Sequence, residues 1–219
     1  MSAAADSCAP LPSSVDALRL ALANGQRHFR GLRLSQGDGV DLDLSGCDLR
    51  GGCFKETRFG RALFRGADVE GCSFQQALLW GADLSALRAS GSQWHEADLS
   101  GSRLQQADFS RALLHRACLR GVLGSQSRWQ GATLVEADFR SGLDQLTDLG
   151  RADFQGADLS FALLHGALLR GADLRGSCLY GTHLDGADLD GADLRGCDLR
   201  DARLEGALLE GAQLEGAQL

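Results

Sequence analysis

The sequence predicts an all-β fold, a four-sided coil of short parallel β-segments, and three observations carry that reading. A bulky apolar residue recurs every five positions, a small residue stands two places before it, and glycine dominates two places after it. Five is the period of neither an α-helix, at about 3.6 residues per turn, nor a flat strand, whose side chains alternate in twos. Stepping by five from Leu44 meets Leu49, Phe54, Phe59, Phe64 and Val69, and from Leu149 to Leu219 every fifth residue is Leu except Phe154. A large and a small side chain, both turned inward, suit a narrow coil that turns a corner every five residues, and glycine supplies the backbone freedom the corner needs. Four corners close a square, so one coil takes about 20 residues and stacks on the next at about 4.8 Å.

Taken in order, residues 1–28 read as a disordered start followed by a capping helix. In "LPSSVDALRLALANGQRHF" Ser13 or Ser14 can cap a helix, Val15, Leu18 and Leu22 make one apolar face, and Asn24-Gly25 closes it. That face is expected to lie over the first coil, with Phe29 entering the core. Residues 29–219 form the coil itself. At its far end "EGALLEGAQLEGAQL" is still in register, so Leu204, Leu209, Leu214 and Leu219 are expected to face outward there and to invite a homodimer through the C-terminal end.

Charge narrows the function classes. The 219 residues carry a net charge of −7 and a pI near 5.2, which argues against a protein that binds nucleic acid by neutralising phosphates. The acidity sits in the last third, where residues 150–219 hold 12 acidic and 6 basic side chains. An odd number of cysteines, no basic-then-apolar leader and no long apolar run predict a cytoplasmic chain with reduced thiols and no membrane span. Cys47, Cys72 and Cys197 take the small inward slot; Cys53, Cys118 and Cys178 fall just before a centre and point outward, at spacings that fit no zinc motif. His95 and His115 occupy equivalent positions of adjacent coils, and two histidines alone make a poor metal site, so a polar surface ladder is expected. The aspartates that precede so many centres read as solvated groups beside a turn. No Ser/His/Asp set, phosphate-cradling glycine motif or carboxylate pair stands out, so no catalytic residue, cofactor or metal is assigned and an enzyme is not expected.

The repeat fails in one place. Sorted in steps of twenty, one face reads Leu84, Leu104, Gly124, Asp144, Leu164, with two adjacent failures. The five-residue frame is unbroken across both, which predicts two bulged sides stacked on one another. On that geometry Leu123, Leu143 and Leu163 form an outward apolar ladder rimmed by Arg128, Arg140, Asp144 and Asp148, the kind of patch that marks a binding surface; the alternative is that these Leu side chains turn inward to replace the missing centres. The candidate partner contacts are therefore Leu143, Asp144, Gln145, Leu146, Thr147 and Asp148, flanked by Leu123 and Leu163. Trp94 and Trp129 fall at centres and are expected in the core. Trp80 follows a centre and is expected outward beside Leu78, where it suits a partner contact, or else packs along its own coil.

The stretch "GADLDGADLRGCDL" resembles the A-(D/N)-L-x-x motif of the pentapeptide-repeat family, and the resemblance covers about residues 29 to 219. It implies a right-handed quadrilateral β-helix, the pentapeptide-repeat solenoid. It also implies one of two kinds of work. The gyrase-binding Qnr and MfpA branch resembles B-form DNA in width and charge; the acidic last third here fits it, while its larger loop insertions and closing C-terminal helix are missing. The cyanobacterial branch of HetL-like regulators of heterocyst differentiation acts through the transcription factor HetR. "NGQRHF", "ALLWGADLSA" and above all "ADFRSGLDQLTDLGRADFQGADLSFA" look like this second branch, the last because it spans the irregular stretch, where the repeat does not dictate the residues. The resemblance thus implies a non-enzymatic scaffold that binds a regulatory protein through a loop-bearing face, without touching nucleic acid directly.

Overall fold

Each five-residue unit distributes its backbone amides in the same way, and that distribution builds the fold. In the unit centred on Leu189, the Leu189 N–H donates to Leu208 O and the Gly191 N–H to Glu210 O, both at 2.8 Å on the next coil, while the Asp188 N–H reaches back to Ala167 O at 2.9 Å. The Ala192 N–H closes the corner onto Leu189 O at 2.9 Å. One amide is left, on the residue after the centre, and the carboxylate before the centre takes it: Ser45 N–H donates to Asp43 Oδ1 and Ser100 N–H to Asp98 Oδ1, each at 2.9 Å. Backbone donors must find partners, and an Asp side chain reaching two residues along is a standard way to supply one. The recurrent aspartates are therefore turn-capping groups, which corrects the expectation that they are merely solvated.

The computed structural model describes residues 10–219, so the disordered start expected at the N-terminus lies outside the described residues. Every fifth residue from Gly31 to Gly216 turns its corner with a positive φ, between 55° and 73°, apart from Ser141 and Leu146. Many of these corners are not glycine, and they reinforce one another across coils: Arg61 donates twice to Asp41 at 2.7 and 2.8 Å, and Arg116 to Glu136 at 2.7 Å. Parallel bridges join the residue before each centre to its counterpart one coil on. The step is twenty residues from His28↔Asp48 to Cys118↔Asp138, twenty-five from Leu123↔Asp148 to Asp138↔Leu163, and twenty again to Asp198↔Gln218.

That single longer step overturns part of the expected site geometry. One whole unit has left the wall between Phe139 and Leu149, so Asp144 does not sit over Gly124 and Leu143 is not part of a ladder with Leu123 and Leu163. Gly124 lies in a regular side, its N–H bonded to Asp148 O at 2.7 Å, with Leu149 following it on the same face. An extra unit of five is invisible to a period of five.

The centres make one continuous core in which Leu189 and Leu194 are fully buried. Phe54, Phe74 and Trp94 stack on one face with centroids 5.0 and 4.2 Å apart, and Phe109, Trp129 and Phe154 on another at 4.5 and 5.8 Å. Each buried Trp needs an acceptor for its indole N–H. The serine two places before it provides one, Ser92 for Trp94 at 2.6 Å and Ser127 for Trp129 at 2.7 Å. The centre before each Trp is small, Ala89 and Gly124, so the wide ring is matched by a narrow neighbour. Cys47, Cys72 and Cys197 are buried in the small slot, and burial pushes the Cys72 thiol up to about 12, so these are packing groups.

Ahead of the coil, helix α1 (Val15–Ala23) starts at Ser14, whose Oγ accepts the Ala17 N–H at 3.1 Å, and ends at Asn24 before Gly25. Val15, Leu18 and Leu22 belong to the same buried cluster as Phe29 and Leu32, and Arg19 donates to Val40 O at 3.1 Å. Among the described residues no helix is long and apolar enough to cross a membrane. At the opposite end Leu204 and Leu209 are half-buried and Leu219 is 83% exposed.

Wherever the residues flanking a centre are Asp before and Arg after, the two close into a bidentate pair. Arg195 donates to Asp193 at 2.8 and 2.6 Å and Arg200 to Asp198 at 2.9 and 2.7 Å. The Arg175, Arg195 and Arg200 hydrogen bonds hold the Asp173, Asp193 and Asp198 carboxyls below the ordinary carboxylate range, Asp198 at about 2. A depressed folded pKa stabilises above the unfolded value, near 3.9, and the contribution disappears as pH falls through the folded one. Melting temperature is therefore expected to be flat above about pH 5 and to fall between about pH 4 and pH 2, as followed by circular dichroism. The narrowness of the coil gives a second expectation. Ala157 is 1% exposed; Ala157→Glu buries an unpartnered charge and should cost on the order of several kcal/mol in denaturant unfolding, whereas Ala157→Ser should be tolerated.

Candidate functional site

The five extra residues form a loop at one corner of the square, and its base is fixed by hydrogen bonds. Thr147, fully buried, donates its hydroxyl to Arg140 O at 3.0 Å and accepts the Gly121 N–H at 2.9 Å. The Gly142 N–H donates to Gln145 O at 2.8 Å, the Gln145 side-chain amide donates to Gly121 O, and the Asp148 N–H returns the chain to the wall at Val122 O, 2.9 Å away. The pair of bonds at Thr147 closes the gap left by the missing unit, and Asp148 then caps its own corner through the Gly150 N–H at 2.9 Å.

The tip carries the exposed residues. Leu143 is 101% exposed and Leu146 56%, with Asp144 and Gln145 also exposed. Beneath the loop a groove of about 610 Å³ runs along the corner from Leu143 and Gln145 to Trp80, past Gly101, Cys118 and Arg120. Trp80 and the start of the loop at Arg140 are three coil steps apart, about 14 Å at the ordinary strand spacing. The floor is shallow because three successive corners, Gly81, Gly101 and Gly121, have no side chain. The Trp80 ring packs against Gly60, where a Cβ would lie 2.4 Å from it, and the Arg61 guanidinium stands 5.2 Å from its centroid.

Of the residues read from the sequence as partner contacts, the fold thus brings Leu143, Asp144, Gln145 and Trp80 to one groove. Leu146, exposed on the same loop, does not line it, and Thr147 is a buried structural group. Leu123 and Leu163 do not stack with Leu143; they flank the loop on the two adjoining faces, Leu123 paired with Asp148 and Leu163 with Asp138. Leu78 is 38% exposed on the face beside Trp80, as expected. Sequence reasoning missed Arg120, Cys118 and the glycine floor. Their shared signal is register: Trp80, Ser100, Arg120 and Arg140 recur at intervals of twenty and line the edge from which the loop departs.

The Asp138 carboxylate beside the groove is paired. Arg140 holds Asp138 in a bidentate pair at 2.9 and 2.8 Å, and Arg120 approaches the same carboxylate at 3.9 Å. Burial works against ionisation of Asp138, but the Arg140 bonds and the two guanidinium charges outweigh it and keep the carboxyl below its ordinary range. Burial pushes the Cys118 thiol up, so it stays protonated at neutral pH and is not an activated nucleophile. The groove presents the Trp80 ring, Leu143 and bare glycine backbone, with Arg120, Asp144 and Gln145 as its polar side chains.

The sequence matches the model of the family described as Pentapeptide repeats over residues 43–81, 79–116, 95–123, 147–186 and 187–219, leaving out the stretch that holds Gly124 and the loop. Among solved structures, the chain is similar to HetL, a pentapeptide repeat protein involved in heterocyst differentiation regulation from the cyanobacterium Nostoc sp. strain PCC 7120. That similarity is 32% identity over 95% of each chain, with a TM-score of 0.78. A likeness of fold alone extends to QnrB1, a plasmid-mediated fluoroquinolone resistance protein, at 21% identity over 78% of this chain and 93% of that one, with a TM-score of 0.54. These similarities place the coil among right-handed β-helices. Comparison with curated protein sequences finds no match.

The loop base yields a paired expectation. Gly121 and Gly101 both sit at positive φ, but a Cβ on Gly121 would lie 3.0–3.2 Å from Gly142 N, Gly142 Cα and Gln145 O, whereas one on Gly101 would meet nothing within 4 Å. Gly101→Ala should cost about 1 kcal/mol, the ordinary charge for a left-handed alanine. Gly121→Ala should cost more, about 2–3 kcal/mol, and render the 140–147 segment sensitive to limited proteolysis while the rest of the coil stays resistant.

Proposed function

Because the chain belongs to the pentapeptide-repeat family, we propose that it is a non-enzymatic, HetL-like scaffold that binds a regulatory protein, of the HetR transcription-factor type, through the loop-bearing corner. The observation that carries this reading is the loop itself. It displays Leu143 and Leu146 in full or partial exposure on a base held by Thr147 and Gln145. Apolar side chains presented from a fixed backbone lose little freedom on binding, and a Trp at the far end of the groove is a residue type that concentrates binding energy. The partner's contact segment lies along the glycine floor between Trp80 and Leu143. Helix α1 has the complementary structural role of covering the first coil, since its apolar face enters the same core.

The gyrase-binding alternative rests on the acidic last third. In the structure four of those 12 acidic side chains, Asp173, Asp188, Asp193 and Asp198, are each paired to an Arg. These pairs set guanidinium groups among the carboxylates of residues 170–200, unlike the uniformly negative run of a phosphate backbone, which favours the regulator-binding reading. A DNA supercoiling assay with and without a quinolone separates the two: no inhibition and no protection is the expected result.

For the proposed site, a variant carrying Leu143→Ala, Asp144→Ala and Leu146→Ala together should keep the wild-type circular dichroism spectrum and melting temperature. Its binding to the regulatory partner, measured by pull-down and titration, should weaken at least about 30-fold, equivalent to about 2 kcal/mol. Undiminished binding by this variant would remove the loop from the interface.

A further inference from the structure

We propose that His165, His183 and Asp185 form a binding site for a divalent transition cation of the zinc class. The three lie far apart by the usual measure of metal motifs, with seventeen residues between the histidines. The coil cancels that separation. His165 and Asp185 take the same position, one residue after a centre, on successive coils, and His183 stands two residues before Asp185 on the ladder Leu163, His183, Arg203. One donor atom from each residue falls within 4.8 Å of the others.

The distances suit coordination. Ligands held tetrahedrally at about 2.0–2.1 Å from a zinc ion are about 3.3 Å from one another. His165 Nε2 and Asp185 Oδ2 are 3.2 Å apart, so that edge of the polyhedron already exists. The His183 ring, with its centroid 5.2 Å from that of His165 and a donor atom within 4.8 Å of both other donors, supplies the third vertex. Two imidazoles and one carboxylate favour zinc, nickel, cobalt or copper(II) over magnesium or calcium, which prefer all-oxygen sites. The side chains are partly open, 39% for His165 and 26% for Asp185, which leaves an entry path and a fourth position. Glu205 stands next in the register, one coil beyond Asp185, and adds negative charge beside the site.

A plain His–Asp hydrogen bond is the competing account of the same geometry. It does not involve the His183 ring, 5.2 Å from that of His165, whereas a cation would engage both imidazoles together with Asp185; His165 Nδ1, buried without a partner, is in the same state on either account. Arg203, next on the His183 ladder, opposes a cation, and Asp185 with Glu205 supplies the charge that offsets it. The other histidine pair at equivalent positions of adjacent coils, His95 and His115, forms no such cluster with an acidic or thiol group among the described residues, and it serves as the internal control.

The site continues the edge that carries the proposed interface. Trp80, Ser100, Arg120 and Arg140 precede the loop on this edge, and His165 and Asp185 follow it. A bound cation would tie together the two coils directly beyond the loop.

The test uses the full chain, stripped with EDTA and kept reduced with a phosphine. It is titrated with Zn²⁺ by calorimetry and with Co²⁺ by visible absorption. One equivalent should bind, with the intense d–d bands of low-coordinate cobalt. Binding should weaken by about tenfold or more in His165→Ala, in His183→Ala and in Asp185→Asn, and stay unchanged in His115→Ala and Cys118→Ser. Asp185→Asn preserves a hydrogen-bonding partner for His165, so loss there separates a metal site from a simple pair. Circular dichroism of each variant checks that the coil is intact. The proposal is overturned if the wild-type chain shows no saturable binding, or if binding survives in both His165→Ala and His183→Ala, or follows His115 or Cys118 instead.

Discussion

The structure depends on how one backbone amide is satisfied at each corner. A chain that bends every five residues pairs four of its five amides with backbone carbonyls, on neighbouring coils or across the corner itself. The fifth, just after the buried centre, has no carbonyl to meet, as at Ser45 and Ser100, and the aspartate before the centre accepts it. This requirement explains the aspartate of the repeated motif, which hydrophobic burial alone leaves unexplained. It also shapes the surface electrostatics: several of these corner carboxylates hold an arginine, as Asp193 holds Arg195 and Asp198 holds Arg200, so that ion pairs follow from a need of the backbone.

Where the requirement is met differently, the fold changes. Around Ser141 and Leu146 the left-handed corner is absent, and the side chain of Thr147 takes over the bonding that another unit would have provided. The expelled unit, Gly142 to Leu146, has a glycine in the small slot and an aspartate in the centre, so it had nothing to contribute to the core. Releasing it costs the coil no apolar burial and places two leucines in solvent on a supported loop. The candidate interface is thus a by-product of a unit that cannot serve as wall.

The same register that stacks identical residues also gathers unlike ones. Along a single edge it brings Trp80 and Arg120 under the loop and His165 with Asp185 beyond it, residues that are twenty or more positions apart in the chain. A solenoid of this kind has no cleft between domains in which to build a site. Its sites are made by columns, and a column changes character only where the sequence repeat is edited.

By itself the sequence determined the period, the inward and outward positions, the buried Trp94 and Trp129, the core thiols and the helix from Val15 to Ala23, because each follows from a local rule of burial or capping repeated many times. It also marked the stretch around Asp144 as the place where those rules lapse. Only the tertiary structure decided that this stretch is one excluded unit rather than two bulged sides. Deletion of a full unit leaves every local position in phase, and the difference appears solely in which coil lies above which. For that reason Leu123 and Leu163 lost their predicted stack, and Trp80 and the histidines gained neighbours that no spacing along the chain could announce.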